Sequence, residues 1–204
     1  MRRFSVALLA TALGAGTLSI ARDAHALGPI GLEIGAKAGA GSNPYSNGND
    51  PNPLGFGIGA RGGVTFLGLY GGLNFMYYLG QSKNETTDGS SFSESVHSTQ
   101  YGIEAGYGLT LLSLLTLRAQ LGVGNFTVTS SGGGQVAGVS ASASQSQSTL
   151  YLEPGVTAMV SLGIWFIGAD VNALILTGLK DDDGSGNSST KSALTFHGQL
   201  GLTF

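Results

Sequence analysis

The chain has 204 residues, of which 35 are Gly and only 10% are charged, with no Cys and a formal net charge of −3. That is too apolar for a disordered chain and too poor in charge for an ordinary soluble surface. The acidic balance gives no footing for nucleic-acid binding, and an exported chain of this composition has no disulfide framework to hold it.

Arg2 and Arg3 precede an uncharged, mostly apolar run from Phe4 to Ile20, and Ala24-His25-Ala26 offers an A-x-A cleavage site. This is the layout of a secretory signal peptide, so residues 1–26 are expected to be removed and one domain to cover 27–204. Beyond Ala26 no apolar run reaches 18 residues, and no membrane-spanning helix is expected.

Period-two alternation predicts eight strands: Ile30–Ala40, Leu54–Phe66, Leu69–Gly80, Thr99–Thr110, Leu115–Gly124, Leu150–Leu162, Trp165–Leu176 and Leu194–Phe204. Each is near or above the ~9–11 residues that a tilted strand needs to cross a bilayer. The connections alternate in character. Phe66-Leu67-Gly68-Leu69, Leu111 to Leu114 and Leu162-Gly163-Ile164-Trp165 are tight, although apolar where Asn-Gly would be usual. Gly41–Pro53, Gln81–Ser98, Asn125–Thr149 and Thr177–Ala193 are long and polar, and Ser130–Ser148 approaches low complexity. Mobile loops are expected there, because such segments bury too little surface to offset ordering entropy. Short turns at one end and long loops at the other belong to a transmembrane barrel, with the short side periplasmic.

The apolar residues define one face of each strand: Ile30, Leu32, Ile34; Leu54, Phe56, Ile58; Leu73, Phe75, Tyr77; Tyr101, Ile103, Tyr107, Leu109; and so on through Leu115, Leu150 and Ile167. Glu33, Lys37, Arg61, Glu104, Arg118, Glu153 and Asp170 all take the other parity, as do Asn74, Gln100, Gln120, Asn172, His197 and Gln199. A barrel in lipid must be apolar outside and polar inside, so these charges are expected in the lumen. Three cations and four anions in a narrow lumen nearly balance, and mutual pairing is expected. Gly collects on the same parity and makes room for Arg61, Arg118, Tyr70 and Tyr78. Outward aromatic residues such as Phe66, Tyr77, Tyr101, Tyr107, Trp165 and Phe204 suit two interfacial girdles. Pro154 interrupts the sixth strand, and a bulge is expected there.

The last strand alternates Leu194, Phe196, Gly198, Leu200 and Leu202 with Thr195, His197, Gln199, Gly201 and Thr203, and ends on Phe204. With the strand pattern, this resembles the small outer-membrane β-barrel family that includes the OmpA transmembrane domain and OmpX. The resemblance implies an eight-stranded antiparallel up-and-down transmembrane β-barrel in the outer membrane of a Gram-negative bacterium, preceded by a cleavable signal peptide. It implies a lumenal ion network, for which Arg61, Arg118, Lys37, Glu33 and Glu104 are the candidates, with Asp170 added by parity. It also implies an assembly signal at Phe204, Leu202 and Leu200, read by the barrel assembly machinery, and contact with membrane lipid and lipopolysaccharide. No peptidoglycan-binding domain is expected after Phe204.

Catalytic chemistry finds little in the spacing. Some barrels of this size modify lipid A with His, Ser and an acid, but His97 and His197 lie in no spacing that singles out a triad. Asp181-Asp182-Asp183-Gly184-Ser185-Gly186-Asn187 lacks the spacing and closing Glu of a calcium loop, and Gly55-x-Gly57-x-Gly59 precedes no helix that could hold a phosphate. No enzyme, metal or cofactor is expected. The leading expectation is a structural or surface-interaction barrel with an ion-paired lumen; a small gated pore is the alternative.

Overall fold

The computed structural model describes residues 30–45, 51–87, 90–111, 114–136, 139–180 and 188–204; the expected signal peptide at 1–26, the centre of the expected turn at 112–113 and the acidic run 181–187 lie outside them. The strands among the described residues are β1 (Ile30–Gly41), β2 (Gly57–Phe66), β3 (Leu69–Tyr78), β4 (Ser82–Thr87), β5 (Ser90–Leu111), β6 (Leu115–Val136), β7 (Val139–Leu162), β8 (Trp165–Lys180) and β9 (Ser188–Thr203). Each pairs antiparallel with its neighbour. β1 bonds to both β2 and β9, and β3 bonds to β5, so the sheet closes on itself. Closure removes the two edges that an open sheet would leave unpaired.

The ring has eight staves, because β3 and β4 are one stave with a break. Tyr78 faces Ser98 and Ser82 faces Ser95, so Leu79, Gly80 and Gln81 oppose only Val96 and His97. This is a β-bulge, and Gly80 carries its positive φ of 65°. A Cβ on Gly80 would overlap the Val96 carbonyl oxygen, so only glycine fits.

The side chains sort by parity. Ile34, Leu73 and Ile103 are 53%, 66% and 59% exposed on the outer face, whereas Arg61 and Asp170 are 2% and 1% exposed inside. Phe66, Tyr107 and Trp165 ring the short-turn end, while Phe56, Tyr101 and Phe196 ring the other. From Phe66 to Phe56 the chain climbs about 25 Å at ~3.3 Å per residue and ~40° of tilt, the height of a hydrocarbon band.

Two of the apolar tight turns have a physical account in their backbone angles. Leu67 and Gly68 have φ of 48° and 85°, the pattern of a type I′ turn, while Gly163 (φ 69°) supplies the single positive φ of a type II′ turn. Leu67 thus sits in the left-handed region, where a Cβ costs about 1–2 kcal/mol. Leu67→Asn is expected to raise unfolding free energy by about 0.5–1 kcal/mol, measured by urea titration in lipid vesicles. A loss of stability would mean that the exposed leucine is instead worth more as a membrane contact.

Three sequence expectations are corrected. The segments within Gln81–Ser98 and Asn125–Thr149 are not loops, and both ends of Thr177–Ala193 are strand as well: β5, β6 and β7 run on as 22, 22 and 24 residues and, with β4, form a four-stranded sheet above the barrel, while β8 runs to Lys180 and β9 starts at Ser188. Val96, Phe126 and Val128 at the base of these strands turn into the buried cluster, and above them ladder hydrogen bonds and hydroxyl pairs hold the strands. Pro154 makes no bulge. Leu152 pairs with Ile175 and Gly155 with Asn172 in one unshifted register, so only the rungs at Glu153 and Pro154 are lost toward β8, while Pro154 stays in register with Leu121. Finally, Leu54 does not share the outward face of Phe56 and Ile58. It precedes β2 in a turn and is fully buried inside.

Candidate functional site: the closed lumen

The lumen is built in three tiers. At the short-turn end, Tyr70, Met159 and Phe166 form an apolar floor. Tyr70 needs small neighbours: a Cβ on Gly72 would collide with its hydroxyl. The guanidinium carbons of Arg61 and Arg118 stand 4.5 and 4.2 Å from the centre of the Tyr70 ring, a double cation–π contact.

Above the floor lies the ionic tier. Glu33 from β1 accepts two hydrogen bonds from Arg118 of β6, at 2.9 Å (Nη1 to Oε2) and 2.5 Å (Nη2 to Oε1). This fork-to-fork geometry is the strong form of an ion pair. Arg61 Nη2 stands 3.8 Å from Glu33 and 3.7 Å from Glu104, while its Nη1 donates to Gln199 at 3.0 Å and its Nε to the Tyr70 hydroxyl at 3.3 Å. Lys37 Nζ lies 3.9 Å from Glu104, 3.4 Å from Asp170 and 3.5 Å from Asn74 Oδ1. Asp170 is the hub. It meets Lys37, accepts from Asn172 Nδ2 at 2.5 Å and from Gln199 Nε2, and lies 2.7 Å from His197 Nδ1. Burying this many ions is tolerable only because each carboxylate meets a cation or several donors.

The six residues read from parity as a network, Glu33, Lys37, Arg61, Glu104, Arg118 and Asp170, are therefore all inside, and each has an opposite charge within 4 Å. Glu153 stands apart from them. Its carboxylate accepts from Gln100 Nε2 at 2.6 Å and Thr195 Oγ1 at 3.1 Å. His197 continues the chain upward, with Nε2 2.8 Å from the Tyr78 hydroxyl.

The third tier is apolar. Leu54, Met76, Tyr78, Val96, Phe126, Val128, Tyr151, Leu174, Leu176 and Ala193 form one buried cluster across the barrel at the long-strand end. The segment before β2 is pinned over it: Gly41 N–H donates to the Leu54 carbonyl (2.7 Å), Asn52 Nδ2 to the Gly41 carbonyl (2.9 Å), and Ser98 Oγ to the Pro53 carbonyl (2.7 Å). The Asn52 side chain also accepts from Leu54 N–H at 2.9 Å, an Asx turn that aims the leucine inward. Sequence reasoning missed this cap. Its signal was present in Met76, Tyr151, Leu174 and Leu176, which share lumen parity with the charges but lie nearer the long connections.

His97 sits on β5 against Tyr77, ring centres 5.9 Å apart. On the final strand Leu200 and Phe204 face outward, Leu202 is half-buried, and the Phe204 backbone exchanges two 2.9 Å hydrogen bonds with Leu32 of β1.

Comparison with solved structures returns outer-membrane barrels. Neisserial surface protein A is 13% identical, with a TM-score of 0.50 over 86% of this chain and 97% of that one. A major outer membrane protein from Thermus thermophilus is 16% identical, with a TM-score of 0.51 over 86% and 99%. At these identities the likeness speaks for the fold alone. A search of curated protein sequences finds no match. Residues 5–204 match the family described as outer membrane protein beta-barrel domain. The chain belongs to that family, and the oily exterior, the ionic interior and the closed eight-stave ring are those of a protein resident in the outer membrane.

Proposed function

We propose that this protein is a sealed surface barrel whose work is done by the sheet it raises above the membrane, and that it passes no solute. The observation that carries the reading is the closed mouth: Leu54, Met76, Tyr78, Phe126, Tyr151, Leu174 and Leu176 are each at most 1% exposed in the top tier. A conducting lumen needs a continuous wetted path. Here an ion that reached the Lys37–Asp170 layer would first have to displace an apolar cap pinned by hydrogen bonds to the backbone at Gly41, Pro53 and Leu54. The tall strands sit at the end opposite the short turns, which is the extracellular end in barrels of this kind. The reading also takes Leu200, Leu202 and Phe204 as the mark by which the assembly machinery recognises the last strand. His197 is engaged by Asp170 and Tyr78 beneath the cap, with no serine in the relay, which favours a binding role over lipid A chemistry.

Folded protein in planar bilayers is expected to give no current steps at voltages that open ordinary porins, with folding checked by far-UV circular dichroism. Regular unitary conductance from the folded wild type would overturn this reading in favour of a pore.

A further inference from the structure

The outer face of the barrel does not end where the hydrocarbon ends. Along β5 the outward series runs Ile103, Tyr101, Thr99, His97, Ser95 and Ser93; along β6 it runs Leu121, Val123, Asn125, Thr127, Thr129 and Ser131; along β7 it runs Val156, Pro154, Leu152, Leu150, Ser148, Ser146 and Ser144. Across these paired strands the face changes from apolar to hydroxyl within about one rung, at Tyr101–Asn125–Leu150. Above that rung the described outward positions of these three strands carry no carboxylate, ammonium or guanidinium. Lys83 and Glu94 oppose each other in register, and Glu94 takes the inward parity of Val96.

The hydroxyls form rungs. Thr127 Oγ1 lies 2.8 Å from Ser148 Oγ, Thr129 Oγ1 3.0 Å from Ser146 Oγ, and Ser131 Oγ 3.5 Å from Ser144 Oγ. Each hydroxyl has one donor and two acceptor sites, so a rung bond leaves acceptors on both members and one O–H to spare. The result is a grid with a free donor or acceptor about every 4.8 Å across the strands and about every 6.8 Å along them. Ser93, Ser95, Ser131, Gly133, Ser142 and Ser144 line a shallow depression of about 530 Å³ in it.

We propose that this face docks the neutral sugar chain of the surrounding lipopolysaccharide. The proposal rests on the reading of the protein as an outer-membrane surface barrel. Continuity selects the occupant, because the face that contacts acyl chains below Tyr101 meets the carbohydrate of those same lipids above it. Chemistry agrees. A protein partner would call for aromatic or Arg anchors, which the depression lacks. A face kept merely soluble would carry mixed charge. Phosphorylated sugars would call for Lys or Arg. An uncharged array of groups that both donate and accept matches unphosphorylated sugar hydroxyls.

The test uses the full barrel in phospholipid nanodiscs and a fluorescent, phosphate-free polysaccharide released from lipopolysaccharide. Thr127→Val/Thr129→Val/Ser131→Ala removes the hydroxyls of one strand while keeping strand-favouring shapes. Binding is expected to weaken at least tenfold, whereas Ser130→Ala/Gln145→Ala on the other face of the same sheet is expected to change it less than twofold. Undiminished binding by the triple variant overturns the proposal. So does wild-type protein that pairs with a second copy through this face, seen by sedimentation, and binds no polysaccharide. A silent barrel without polysaccharide binding would sink this inference alone, and a conducting barrel that binds would sink only the sealed-lumen reading.

Discussion

Arg118→Ala is expected to cost about 3–5 kcal/mol of unfolding free energy, more than the loss of any other single lumenal side chain. Arg118 is nearly fully buried, and both oxygens of Glu33 accept from it. Truncation leaves the Glu33 carboxylate with only the 3.8 Å approach of Arg61 Nη2, in a compartment whose floor is Tyr70 and Phe166. It also removes one of the two cations stacked on Tyr70. The cost belongs to the stranded charge rather than to the pair itself, since a buried pair roughly repays its own desolvation. Glu33→Leu/Arg118→Met is therefore expected to recover most of the loss. Urea unfolding from lipid vesicles, followed through the single Trp165, measures both. A single variant within about 1 kcal/mol of wild type would show that the pair does not hold the lumen.

Ile103→Arg is expected to cost about 2–4 kcal/mol, because it sets a guanidinium in hydrocarbon near mid-height of the barrel. Ile103 pairs with Leu73 and Val123, and all three are exposed on the outer face. Thr127→Arg shares that outward parity but stands above the Tyr101 rung. There a charge meets water or headgroups, and the expected change is within about 0.5 kcal/mol. The contrast maps where the hydrocarbon stops along one continuous face. Equal, small effects at both sites would mean that the exterior is not lipid-facing at all.

Much of the barrel was legible in the order of its residues because strand parity is a local property. Alternation places Glu33, Lys37, Arg61, Glu104, Arg118 and Asp170 opposite Ile34, Leu73 and Ile103 whatever the rest of the chain does. The tight turns at Leu67-Gly68 and Gly163-Ile164 are equally local. The hydroxyl strands were not legible. Ser142–Ser148 alternates among small and polar residues, so no face stands out, and in Thr127–Ser131 a single Val128 marks the inner side; only pairing with β5 and with each other makes them strands.

Leu54 shows the limit in a single residue. It is apolar and in step with Phe56 and Ile58, yet the Asn52 turn releases it from strand geometry and sends it into the mouth. The choice of partners was likewise beyond the sequence. Arg118 could in principle have met any of four lumenal acids, and the register of β1 against β2 and β9, with closure through β3 and β5, brings Glu33 to it across 85 residues. Side-chain direction follows from the pleat of one strand, whereas pairing depends on the stagger of all eight staves, which exists only once the ring has closed.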